Sequence, residues 1–140
     1  MADEIVELED FALELAHTAG GIAQAHFRQP VVVENKGVSS FDPVTNADRA
    51  IERVLRSAIV ARYPDHGIVA EEEGERAGTS DYTWFIDPID GTKSFVRGVP
   101  LWGTLVAVAE GDVVLAGAAY FPALGEMLAA APGEGCWWNG

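Results

Sequence analysis

The chain has 140 residues, 49% of them hydrophobic and four of them Trp, and its 9 Lys and Arg against 22 Asp and Glu leave a formal charge of −13. A chain of this length buries roughly 68% of its unfolded surface, so one domain with a real core is expected and disorder is excluded. The acidic excess excludes nucleic acid and anionic membranes as partners, since both require basic surface.

A lone cysteine, Cys136, permits neither an intrachain disulfide nor a Cys-based zinc cluster. The acidic stretch Met1 to Asp10 lacks the basic n-region of a signal peptide, and no apolar run approaches the ~20 residues of a membrane span. A cytoplasmic location is expected.

Ile5, Leu8, Ala12, Leu15, Ala16, Ala19, Ile22 and Ala23 recur at three- and four-residue steps, which predicts an amphipathic helix from about Asp3 to Phe27, stopped by Pro30. Gly20-Gly21 inside it marks a kink or a close backbone contact. Val31 to Val33 reads as a short strand and Lys36 to Asp42 as a loop. A second helix is predicted from the stripe Ala47, Ala50, Ile51, Val54, Leu55, Ala58 and Ile59. Thr45 is its candidate N-cap, with Asp48 three residues on completing a variant capping box. Pro64-Asp65-His66-Gly67 ends it, and a strand over Ile68 to Ala70 runs into Glu71-Glu72-Glu73. Gly74 to Asp81 reads as a mobile turn-rich segment.

Strands are then predicted over Thr83–Ile86, Leu101–Ala109, Val113–Tyr120, Glu126–Ala130 and Cys136–Trp138, with Glu110-Gly111-Asp112 turning a hairpin. Helices first and strands after them predict an α+β fold, with two N-terminal helices packed on a largely antiparallel sheet. The terminal Asn139-Gly140 is a hairpin signal with an incoming strand and no outgoing one, which predicts that the chain is part of a longer protein.

The chemistry concentrates in Trp84-Phe85-Ile86-Asp87-Pro88-Ile89-Asp90-Gly91-Thr92. An apolar run ends on one carboxylate and a second follows three residues later, a set that attracts hard cations. Gly91 and Thr92 then offer backbone N–H groups to an anion. Cation and anion sites side by side predict chemistry on a phosphate ester. A structural reading stands beside each acid: Asp48 caps its helix, Glu71 to Glu73 form a solvated loop, Asp90 is an N-cap. Asp87 resists this reading, because it follows three apolar residues where an unpaired charge is costly. An EF-hand loop fails on Pro88 and Ile89, which interrupt its ligand pattern. The haloacid dehalogenase-like phosphatases carry Asp-x-Asp-Gly-Thr with a nucleophilic first Asp, whereas the spacing here is Asp-x-x-Asp-Gly-Thr.

The chain resembles the inositol monophosphatase family of Mg²⁺-dependent, lithium-sensitive phosphatases. The likeness is carried by Lys36; by Asp42-Pro43-Val44-Thr45-Asn46-Ala47-Asp48; by Pro64-Asp65-His66 leading to Ala70-Glu71-Glu72; and by Trp84 to Phe95. The run from Lys93 to Leu105 is most similar to the branch that hydrolyses histidinol phosphate. The resemblance implies the N-terminal half of an αβαβα sandwich. It implies one Mg²⁺ on Glu71, Asp87 and the Ile89 carbonyl, and a second on Asp87 and Asp90. It implies further that Glu71 and Thr92, with Asp48 behind Thr92, activate water, and that the Gly91 and Thr92 amides receive the phosphate. Lys36 would neutralise nearby negative charge or stand as a solvated loop lysine.

The family's second half carries a Trp-Asp-x-Ala motif whose Asp completes the second metal site, and no Trp here is followed by Asp. Hydrolysis by these residues alone is therefore expected to be weak or absent. The expected partner is a small phosphorylated metabolite, histidinol phosphate first and inositol phosphate second, in a possible homodimer. An inactive metal-binding or regulatory module is the reading of another class.

Overall fold

The computed structural model describes residues 2–30, 32–37 and 43–140. The first apolar stripe forms one unbroken helix, α1 (Ala2–His26), with Leu8, Phe11, Ala12, Leu15, Ala16 and Ala19 buried along it. Of the two glycines inside it, Gly20 has the tight contact: a Cβ there would lie 2.2 Å from Cδ2 of Tyr120, while Gly21 faces open space. Gly20 alone marks a close approach, to Tyr120, and the helix runs unbroken through both glycines.

The short strand expected at Val31–Val33 lies further on, as β1 (Val33–Asn35), paired antiparallel with β2 (Pro43–Thr45). Val31 and the loop residues from Val38 to Asp42 lie outside the described residues. Helix α2 (Asn46–Arg62) starts on the predicted capping box: Thr45 Oγ1 accepts from the Asp48 amide, and the Asp48 carboxylate accepts from the Thr45 amide. Its buried face is Ala47, Asp48, Ile51, Glu52, Leu55 and Ile59. Two acids on that apolar stripe are unusual, and both bear on the site.

Strand β3 (Gly67–Ala70) follows. The segment expected to be a mobile turn instead contributes strand β4 (Gly74–Arg76), antiparallel to β3. It is tied down by the Thr79 and Ser80 amides, which donate to the Asp65 carbonyl at 2.9 and 3.1 Å. The Arg76 guanidinium also donates to the His66 and Pro64 carbonyls.

Strand β5 (Tyr82–Asp90) runs four residues beyond the expected end at Ile86. Its register shifts between Asp87 and Asp90. Pro88 lacks the N–H that a regular ladder needs and sits within this irregularity, a usual place for proline in a sheet. The fully buried Thr104 donates its hydroxyl to the Pro88 carbonyl at 2.8 Å. The short helix α3 (Thr92–Val96) comes next. Strands β6 (Gly103–Glu110), β7 (Val113–Phe121), β8 (Glu126–Ala131) and β9 (Gly135–Trp138) complete the chain as an antiparallel meander. Glu110 pairs with Val113 across the predicted hairpin turn. Asn139 ties the end of β9 to β8, its amide donating to the Met127 carbonyl and its side-chain oxygen accepting from the Met127 amide.

The sheet order is β4-β3-β5-β6-β7-β8-β9, and within it only β3 and β5 run parallel. The α+β expectation of two helices on a largely antiparallel sheet is thus met by a mixed sheet with one parallel pair. α1 packs on β6, β7 and β8, and α2 on β5. The core between them holds Trp84, Trp102, Ile51, Leu55, Ile59 and Ile68, each at most 1% exposed. His66 is sandwiched between Tyr63 and Tyr82 and accepts the Trp84 indole N–H at 3.0 Å. Burial pushes its pKa down. Phe85, 42% exposed, lines an apolar groove with Val69, Leu105 and Ala107, and a second apolar groove is lined by Gly117, Ala119, Leu128 and Ala130.

Candidate active site

The parallel pair sets the site. β3 and β5 pair Ala70 with Ile86, so the next residues, Glu71 and Asp87, leave the C-terminal ends of this pairing together. In sheets with parallel strands, ligands bind in the crevice at those ends. Glu71, Asp87, Ile89, Asp90, Gly91 and Thr92 all line one cleft of about 280 Å³, together with Lys93 and Ser94. Six residues named from the sequence therefore meet, although Glu71 and Asp87 are sixteen positions apart in the chain.

Asp87 is the strained member. Its Oδ1 is buried with no hydrogen-bond partner. Its carboxyl is pushed up from 3.8 to about 7, by burial first and then by the negative charges of Glu71, Asp90 and Asp48. Glu71 is half-exposed and meets Lys36 Nζ at 3.5 Å, while the nearly buried Glu72 meets the same ammonium at 3.3 Å. Lys36 therefore pairs with two acids beside the cleft while remaining an exposed residue itself.

Asp48 does not line the cleft. It lies behind Thr92, 2% exposed, with Oδ2 accepting from Thr45 Oγ1 at 2.5 Å and Oδ1 lying 3.4 Å from Thr92 Oγ1. Burial raises its pKa, against the lowering effect of its Thr45 hydrogen bonds. Thr92 Oγ1 also reaches the Ile89 carbonyl, at 2.9 Å. Gly91 has φ +87°, and a Cβ there would meet the Leu101 carbonyl at 2.8 Å, so the turn from β5 into α3 requires glycine.

The chemistry of this donor set, though not its closed geometry, suits a divalent cation. The acids supply the hard oxygen ligands such an ion prefers. The orphaned Asp87 oxygen and the raised affinity of its carboxyl for a proton are what a carboxylate shows when a counter-charge is wanting. Among the described residues, no three His, Cys, Asp or Glu side chains stand close enough together to hold a metal ion by themselves.

Two contributors were missed by sequence reasoning. Thr104 holds the bulge through the Pro88 carbonyl, and nothing local in the sequence signals it. Glu52 holds the turn after Glu71, and it did carry a signal: a carboxylate on the same helical face as Ile51, Leu55 and Ile59.

Helices packed on a mixed sheet, with an acidic cleft at the ends of its parallel strands and a glycine turn beside it, define an α+β domain. The model of the inositol monophosphatase family matches residues 4–140, and the chain belongs to that family. It is 42% identical over 130 residues to the histidinol-phosphatase of Chlorobaculum parvum, covering 92% of this chain and 49% of that protein. It is 36% identical over 132 residues to Nus factor SuhB of Escherichia coli K12, covering 94% of this chain and 49% of that one. Among solved structures, an IMPase of Thermotoga maritima superposes with a TM-score of 0.85 at 38% identity, over 94% of this chain and 50% of its own. The chain spans about half the length of the curated relatives it matches.

Proposed function

We propose that this chain carries the cation- and phosphate-binding half of a Mg²⁺-dependent phosphomonoesterase, and that it corresponds to the N-terminal half of the family's fold. The observation that carries the reading is Asp87, a carboxyl raised to about 7 with a buried, unpartnered oxygen, sharing a cleft with Glu71 and Asp90. The bare apolar face beside Phe85 and the half-length match to relatives support the placement within a larger fold.

Glu71, Asp87, Asp90 and the Ile89 carbonyl would hold the cations. When bound, a divalent cation supplies Lewis acidity to the phosphoryl group and lowers the pKa of water. The remaining steps belong to this chain's residues. Thr92 Oγ1 has one hydrogen and two acceptors in reach, Ile89 O and Asp48 Oδ1. Donation to Asp48 leaves the Ile89 carbonyl free as a ligand and lets the Thr92 oxygen accept a hydrogen from water. Glu71, half-exposed in the same cleft, takes the proton as the water oxygen bonds to phosphorus; the ester P–O bond breaks opposite it, and the alkoxide leaves as the alcohol after taking a proton from solvent. The Gly91 and Thr92 amides receive the phosphate oxygens. No side chain becomes phosphorylated. The acidic chain repels an anionic substrate until cations are bound, so substrate binding depends on them.

Histidinol phosphate is the substrate we favour, on the 42% identity to a histidinol-phosphatase over 92% of the chain. Inositol phosphate is the second reading, favoured by the likeness to the Thermotoga IMPase. Calorimetric titration of the intact protein with Mg²⁺ tests the site. Binding should weaken by at least about tenfold in Asp87→Asn, which removes a ligand charge; unchanged affinity refutes the reading. Relative turnover of the two phosphate esters then separates the substrates.

A further inference from the structure

The carboxylate of Glu52 is fully buried, and both of its oxygens are engaged. Oε1 accepts from the Glu72 amide at 2.8 Å, and Oε2 from the Glu73 amide at 2.7 Å. Arg56, one turn further along α2, donates Nε to Oε2 at 3.3 Å, and its Nη2 donates to the Gly74 carbonyl. One turn of α2 thus grips the three residues that follow Glu71. Core stability alone does not call for a charge here, since Ile51, Leu55 and Ile59 fill the same face without one. What the carboxylate adds is direction. Amides donated to two fixed oxygens orient the peptide planes on either side of Glu72, and the first of those planes carries the Glu71 carbonyl. The path of the chain out of β3 is then set, with Glu71 abreast of Asp87 at the cleft and Glu72 turned inward to Lys36.

We infer that Glu52, locked by Arg56, is a positioning residue for Glu71, acting through the Glu72 and Glu73 amides. The inference rests on the reading of Glu71 as a cation ligand.

The test uses the intact protein and Mg²⁺ alone. Glu52→Gln replaces one accepting oxygen by an NH₂ that cannot accept. It should speed exchange of the Glu72 or Glu73 amide by about tenfold or more. It should also weaken Mg²⁺ binding by about tenfold, the usual scale for a residue supporting a ligand. In a Glu71→Gln background the same substitution should leave Mg²⁺ affinity unchanged, because Glu52 acts only through Glu71. Equal weakening in both backgrounds overturns the inference while leaving the cation site standing. Unchanged Mg²⁺ affinity in Glu71→Gln alone overturns the reading of Glu71 and the inference with it. Glu52→Asp, which keeps the charge on Arg56 but falls short of the turn, carries the same expectations if the glutamine variant fails to fold. In the unsubstituted protein the two amides should exchange at least about 100-fold more slowly than in an unstructured chain; exchange at the unstructured rate overturns the inference outright.

Discussion

Asp87→Asn should stabilise the cation-free protein at pH 8. The folded carboxyl titrates near 7 against an ordinary 3.8. Below pH 3.8 both states are protonated. Between 3.8 and 7 the folded state keeps a proton that the unfolded state has lost, so stability falls as pH rises, and above 7 the penalty is constant. At about 1.4 kcal/mol for each tenfold in proton affinity, the ceiling is about 4 kcal/mol. Asp87 is only half-buried, and solvent screening reduces this to about 1–3 kcal/mol. Asparagine is uncharged at every pH and escapes the penalty. Denaturant melts in chelator, from pH 4 to pH 8, should therefore show no gain for Asp87→Asn at the acid end. At pH 8 the gain should be about 1–3 kcal/mol, or about 3–4 °C in Tm per kcal/mol for a chain of this size. Millimolar Mg²⁺ at pH 8 should shrink that gain, by stabilising the parent more than the variant. A stability difference that does not vary with pH would refute the reasoning, since Asp87 would then be an ordinary hydrogen-bond acceptor.

Gly91→Ala should cost about 1–3 kcal/mol, from the positive φ and the clash with the Leu101 carbonyl, measured as a lowered denaturant midpoint. Thr45→Ala should cost about 1–3 kcal/mol, because it removes the α2 cap and leaves the buried Asp48 carboxylate short of a donor; an unaltered midpoint would show that the cap contributes nothing.

Much of this fold was legible because its signals are local. The apolar steps of α1 and α2 are set by 3.6-residue periodicity, and the Thr45–Asp48 cap spans three residues. The Asp87–Thr92 run gathers two carboxylates and a glycine turn within six residues. Other features were not legible from local pattern. β4 reads as a turn in the sequence, because three residues holding a glycine and two charges make no strand without a partner; β3 supplies it. In the sequence β5 ends at Ile86, because an Asp-Pro step reads as a break. The hydroxyl of Thr104, sixteen residues away, carries the strand through it.

By itself the sequence determined two amphipathic helices, most of the strands, and a run from Asp87 to Thr92 that holds two acids and a glycine turn. Only the tertiary structure decided that β3 lies parallel to β5, which brings Glu71 alongside Asp87, and that Glu52 reaches across from α2 to hold the turn between them. The physical reason is range. Periodicity and caps act over three or four residues, whereas strand order and a buried carboxylate's choice of amides depend on which distant surfaces pack together.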